Sequence, residues 1–382
     1  MSNSFWPKRL FTLDVSRGFA ALGVVLAHWP HFVNGTTSLP ENFDRVSLPL
    51  YAVLRMFYEK GYMAVAYFFI VSGFIFFWLY KSSIENKNTS FGNFWIQRIS
   101  RLYPLHIATL LIVALLQTIY FSHNGNWFVY PFNDIYHFFL NLSFVSGLGF
   151  ENGWSFNAPV WSVSIEIFAY LVFFVIAYNR RGGALFCLGV SVISIAFIPF
   201  TNNYHHILLH KGLAAFFLGG LIFHLTFFIS TKWQNLKAVV YSVATLSWFL
   251  TIINFYAFNL SEFILKFGII GKFFLTGFPY AILFPFTVCG LALIGIDKRN
   301  FCKSISWVGD ITYSSYLLHF PLQLIFALAF SYGILYSDFY LNPIYLVIFF
   351  LILIPLSYIT FIGFERPIQN MIRNHYSSHK KV

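Results

Sequence analysis

LDVSRGFAALGVVLAHWP, residues 13–30, is an apolar segment of helix length interrupted by Asp14, Arg17 and His28. A run of about 18 apolar residues is long enough to cross a bilayer. Ionisable groups inside such a span are costly, and they face a polar cavity or a partner. Arg17 and His28 are eleven residues apart, so at about 3.6 residues per turn they share one helical face, separated by about 16 Å of rise. The first span thus carries a cation near one surface and a titratable imidazole near the other.

The rest of the chain has the same character. Of 382 residues, 58% are hydrophobic and only 10% charged, with 51 Phe. A soluble protein of that composition would expose more apolar surface than water tolerates. The fold class is therefore all-α, a polytopic integral membrane helical bundle embedded in the lipid bilayer. Ten spans are expected, at 10–30, 61–80, 103–122, 160–178, 184–200, 207–230, 237–257, 272–295, 311–333 and 342–364. The segment 134–148 is too short to cross and reads as an interfacial or re-entrant piece. Residues 1–382 form one transmembrane domain, with a short basic cytoplasmic tail at 365–382.

Charge sets the orientation. Arg45, Arg55, Lys60, Lys211, Lys266 and Lys272 fall on the outer side and Arg17 lies within a span, leaving 17 of the 24 Lys and Arg residues inside. The positive-inside rule places both termini in the cytoplasm. The net charge of +11 is dispersed among loops, so nucleic acid is not an expected partner. The charged start resembles a signal peptide, but Asp14 and Arg17 interrupt its apolar region and no small-residue cleavage site follows, so it reads as a retained helix. Cys187, Cys289 and Cys302 are scattered, with no spacing for a disulfide framework or a metal.

Topology turns position into depth. His28 lies near the outer end of the first span, and Glu166 about 9 Å below the outer surface in PVWSVSIEIFAYLVFF. An imidazole and a carboxylate at one level make either a base with its orienting partner or a structural pair that locks the bundle. On the inner side, FWIQRISRLYPLH presents Arg98 and Arg101 at i and i+3, a spacing that suits phosphate capture or lipid headgroup contact. FFIVSGFIF holds Ser72 and Gly73, a hydroxyl beside a packing notch. DITYSSYLLHFPL places Tyr316 and His319 at i and i+3 in mid-membrane, lining a polar tunnel or packed as a hydrogen-bonded pair. The 123–160 loop lacks Lys and Arg but carries Trp127, Tyr130, His137 and Trp154, which suit either sugar stacking or an interfacial belt. His205, His206 and His210 cluster without an evident carboxylate partner and read as interfacial. There is no GxxxxGK[ST], GxGxxG, HExxH or EF-hand loop, so nucleotide hydrolysis and redox chemistry have no support.

Together these segments resemble the acyltransferase family 3 of integral membrane O-acyltransferases. LDVSRGFAALGVVLAH, FFIVSGF, RISRLYP, WSVSIE and TYSSYLLHFPL match its motifs in order, and FERP at 364–367 resembles its usual ending. Ser16 stands where the family often has Leu, and Ile167 where many members carry a second acidic residue. The chain resembles the stand-alone form, without the esterase-like C-terminal domain fused to some members. The resemblance implies transfer of an acyl group, usually acetyl, from cytoplasmic acyl-CoA (acetyl-CoA by default) to a hydroxyl of a surface carbohydrate or glycolipid, in a bacterial inner membrane and without a metal. In that scheme Arg17, Arg98 and Arg101 hold the coenzyme A phosphates. His28 is the base or an acetylated nucleophile, and Glu166 orients it. Ser72, Tyr316 and His319 stand on spans that line the channel, and one or another of them offers a hydrogen bond to the oxyanion. A transporter or flippase for a polar solute or lipid-linked sugar would line a through-path with the same residues, and a non-catalytic scaffold would tolerate their loss. Oligomeric state is not legible.

Overall fold

The structure, a computed structural model, describes residues 6–379, and every regular element among them is helical. Eight helices are long and apolar enough to cross a membrane: Tyr51–Leu79, Phe91–Asn124, Ala158–Tyr178, Tyr204–Thr231, Gln234–Tyr256, Gly268–Asp297, Thr312–Ser331 and Pro343–Ser378. The other two expected spans are helical as well, as Phe11–His28 and the shorter apolar Ala184–Phe200. Several helices outrun the expected spans because polar turns extend them past the apolar stretch. Phe91–Asn124 has 34 residues, about 51 Å, against a hydrocarbon core of about 30 Å. The helix is thus longer than a crossing of that layer needs.

Local chemistry sets the helix ends. Ser90 accepts from the Asn93 N–H at the start of Phe91–Asn124, and Gly125 closes that helix in the left-handed region. Asn203 caps Tyr204–Thr231, and Asn342 followed by Pro343 opens the last span. The 134–148 segment contains Ile135–Leu142, eight residues capped by Asp134. The His137 backbone N–H, and then its ring, hold the Asp134 carboxyl below its usual range. About 12 Å of helix cannot cross a bilayer.

In lipid, apolar attraction between helices is weak, and close packing through small residues takes its place. A Cβ added at Gly73 would overlap the Phe216 carbonyl, and one at Gly219 would overlap the Ile70 carbonyl. Tyr51–Leu79 and Tyr204–Thr231 therefore meet backbone to backbone. The packing reading of Gly73 is correct, and it leaves the neighbouring Ser72 free for a polar role. The first helix is seated similarly, with Gly18 against Val308 and Gly309 against the Asp14 carbonyl. Arg9 bridges Asp14 (2.5 Å) and Asp310 (2.7 Å) at that same junction. Thr312–Ser331 is the most enclosed of the long helices, with 78% of its membrane-length window buried, whereas Gln234–Tyr256 has 11% and leaves most of its surface for lipid.

A cationic cavity beside a histidine pair

Five helices line one cavity of about 120 Å³. The first helix contributes Arg17; Tyr51–Leu79 gives Phe68, Ser72, Ile75 and Phe76; Phe91–Asn124 gives Arg98, Arg101 and Leu102. Ala158–Tyr178 adds Ser162, Val163, Glu166 and Tyr170, and Thr312–Ser331 adds Thr312, Tyr313 and Tyr316. Three guanidiniums thus face one carboxylate.

The three arginines are not equivalent. Arg98 is buried and donates to the Tyr80 hydroxyl and to Gln97 Oε1 (3.3 Å). Its guanidinium also stacks on Phe76 and Tyr80, 4.9 and 4.5 Å from their ring centres. Arg17 and Arg101 make no hydrogen bond or ion pair with any described residue. The charges facing Arg17 are Arg101, Asp14 and Glu166, and those facing Arg101 include Glu365 and Glu166. Each guanidinium carries five donors in a planar fork. Two such forks left open on one cavity form a receptor for an anion with several oxygens.

Glu166 is tied into this cavity by a relay. Ser72 Oγ donates to Glu166 Oε1 at 2.5 Å. With that hydrogen committed, the 3.3 Å contact between the Ser72 and Tyr170 hydroxyls has Tyr170 as donor. Glu166 was expected to orient His28, and this is where geometry departs from the sequence reading. The hydrogen-bond partner of Glu166 is Ser72, and that of the His28 ring is another histidine. Equal depth in two helices does not fix which faces meet, and the intervening helices turn Glu166 towards Arg17 and Arg101.

Nδ1 of His28 lies 3.0 Å from Nε2 of His319, with the rings parallel to within 2°. Nδ1 of His319 lies 2.6 Å from the Tyr316 carbonyl. A carbonyl only accepts, so in the neutral pair His319 carries its hydrogen on Nδ1 and has a lone pair at Nε2. The hydrogen between the rings then belongs to Nδ1 of His28, which leaves Nε2 of His28 as a bare lone pair with no partner among the described residues. Gln323 Nε2 donates to the His28 carbonyl at 2.8 Å and holds that turn. The arrangement is that of an oriented base.

Neither histidine lines the cavity; Tyr316 joins the two regions. Its ring lies 5.9 Å from that of His319, its carbonyl holds His319, and its side chain borders the cavity. Its hydroxyl donates to the Pro159 carbonyl at 2.9 Å. The three expected oxyanion donors are all committed: Ser72 to Glu166, Tyr316 to Pro159 and His319 to the Tyr316 carbonyl.

Some polar groups escaped the sequence reading. Glu365 is buried, accepts from Ser314 Oγ at 2.7 Å and is the first of the charges facing Arg101. It sits in a π-turn, Phe361–Glu365, a feature common at functional sites. The FERP stretch was its only sequence signal. Tyr313 donates to the Leu102 carbonyl at 2.6 Å, one residue beyond Arg101. In the 123–160 loop, the carboxylate that His205 lacked in sequence is Glu151, with Oε1 2.5 Å from His205 Nδ1. Glu151 reaches it across more than fifty residues of chain, which no local spacing reveals. Among the described residues no three His, Cys, Asp or Glu side chains are placed to hold a metal.

The family described as "Acyltransferase domain" matches residues 10–362. A curated relative, "Acyltransferase MdmB" of Streptomyces mycarofaciens, is 32% identical over 121 residues, which is 30% of this chain and 27% of that protein. The chain thus matches only about a quarter of that relative's length. No solved structure matches.

Proposed function

Since the chain belongs to the Acyltransferase domain family, we propose that it moves an acyl group, acetyl by default, from cytoplasmic acyl-CoA to a hydroxyl of a carbohydrate or glycolipid presented on the outer side of a bacterial inner membrane. Arg17 and Arg101 take the donor's diphosphate, and Arg98 walls the site through its fixed contacts. The pantetheine arm runs past Tyr316 towards the histidine pair. The rise of about 16 Å between the levels of Arg17 and His28 is on the scale of that arm.

Nε2 of His28 takes the proton of the acceptor hydroxyl as its oxygen attacks the thioester carbonyl. The carbon–sulfur bond then breaks, and the thiolate leaves with that proton as coenzyme A. His319 holds the base in the right tautomer and accepts from its Nδ1–H while the ring is charged, the part an orienting carboxylate plays elsewhere. Glu166, held by Ser72, offsets the positive charge of Arg17 and Arg101.

The observation that carries this reading is Tyr316. One residue borders a cavity holding two unpartnered guanidiniums and, through its carbonyl, fixes the tautomer of the base. The test is transfer of labelled acetyl from acetyl-CoA in inverted vesicles. His28→Ala should reduce turnover by at least about a hundredfold. Arg101→Gln should raise KM for the donor by about tenfold or more while kcat changes less. Near-normal transfer by His28→Ala removes that residue from the chemistry, and uptake of a solute without coenzyme A dependence favours a transporter.

A further inference from the structure

The C-terminal helix Arg366–His379 lies beyond the stretch shared with the family, yet it packs on the arginine-bearing turn of Phe91–Asn124. Arg373 donates from Nη2 to the Gln97 carbonyl (2.9 Å) and from Nε to Ser100 Oγ (3.1 Å). Those two acceptors each adjoin one of the cavity arginines, Arg98 and Arg101. The charges that face Arg373 are those same two guanidiniums, together with the Tyr80 hydroxyl, and no carboxylate is among them. Arg373 thus adds a guanidinium that brings no carboxylate of its own to a turn already holding two others, an arrangement that an anion resolves. Arg98 Nε is also buried with no partner.

We propose that Arg373 is a binding residue for the 3′-phosphate of the coenzyme A thioester, so that the C-terminal helix completes the donor site. This rests on the donor reading above. Coenzyme A carries its groups in a fixed order: thioester, pantetheine arm, 5′-diphosphate, then ribose with the 3′-phosphate. With the thioester at His28 and the diphosphate at Arg17 and Arg101, the 3′-phosphate falls farther from His28. Arg373 is not part of the cavity wall, and it touches Gln97, a turn nearer the start of its helix than Arg101. Two of its donors are spent on positioning the guanidinium, and the remaining edge is available for a phosphate dianion.

The experiment compares acetyl-CoA with 3′-dephospho-acetyl-CoA as donors for the full-length protein in vesicles, using wild type, Arg373→Gln and Arg366→Gln. Arg366 is exposed on the same helix and serves as the control. Wild type and Arg366→Gln should show a KM about tenfold higher for the dephospho donor. Arg373→Gln should show that higher KM with both donors and no preference between them. Equal loss of turnover with both donors in Arg373→Gln, with the preference intact, makes the helix a structural strap and overturns the proposal. So does a wild type indifferent to the 3′-phosphate. A KM effect of Arg373→Gln that disappears when phosphatidylglycerol is replaced by phosphatidylcholine assigns the arginine to lipid headgroups, and likewise overturns it. Absence of turnover with any coenzyme A thioester overturns the donor reading itself.

Discussion

Replacing His319 by Leu tests the base most directly. The substitution removes the acceptor at 3.0 Å from Nδ1 of His28 and leaves the arginines of the donor site untouched. In the neutral enzyme, His28 then loses the contact that keeps its hydrogen on Nδ1. In the transition state the ring is becoming a cation, and its Nδ1–H···N bond to His319 is charge-assisted. Such bonds contribute about 1.5–3 kcal/mol, and at about 1.4 kcal/mol per factor of ten this is a fall in kcat of roughly 10- to 100-fold. KM for acetyl-CoA should stay within about twofold, since the phosphate contacts remain. Because His319 is fully buried, Leu conserves an apolar filling, and thermal melting checks that the fold persists. His319→Gln keeps an acceptor oxygen on a similar stem and should recover part of the rate. The assay is initial-rate acetyl transfer in vesicles at saturating donor. A His319→Leu enzyme within twofold of wild-type kcat, or a Gln variant no better than Leu at equal stability, would refute the tautomer argument.

Two other perturbations probe the scaffold. Gly73→Ala should destabilise the protein by about 1–3 kcal/mol, because the added methyl group meets the Phe216 backbone rather than a yielding side chain; an unchanged melting temperature in detergent would contradict the backbone-to-backbone contact. Burial pushes the Glu151 carboxyl up, but contact with His205 and the Gly147 N–H outweighs it and holds the group below its ordinary value. The folded state therefore binds that proton less readily than the unfolded chain, so the contribution is present above the ordinary carboxylate pKa of about 4.3 and is lost as pH falls below it. Trp154, whose ring centre lies 4.7 Å from that of His205, should report this loosening by fluorescence, and Glu151→Gln should flatten the acid limb.

Arg17, Ser72, Glu166 and Tyr316 stand out by their positions in apolar helices, Arg98 and Arg101 by their i, i+3 spacing on the inner side, and all six line one cavity. The expense of polar groups in lipid makes such residues conspicuous. Pairing was less legible. Depth along a helix follows from residue count, but the azimuth of one helix against another follows from packing. The notches at Gly73 and Gly219 and the seat of Gly18 on Val308 set those rotations. They turn His28 to His319 and Glu166 to Ser72. Glu365 was overlooked because it ends an apolar span, where a single acid looks like a boundary marker.

The amino-acid sequence by itself determined that the chain is a bundle of membrane helices, the first of which carries a cation and an imidazole at two levels of one face, since hydropathy and helical periodicity act locally. Only the tertiary structure decided that the imidazole's partner is a second imidazole, that two of three arginines stand open while the third is boxed by aromatic rings, and that Arg373 returns from the end of the chain to the same turn. Those facts depend on contacts between residues as many as 291 positions apart, and contacts of that range are set by how helices pack rather than by any one segment.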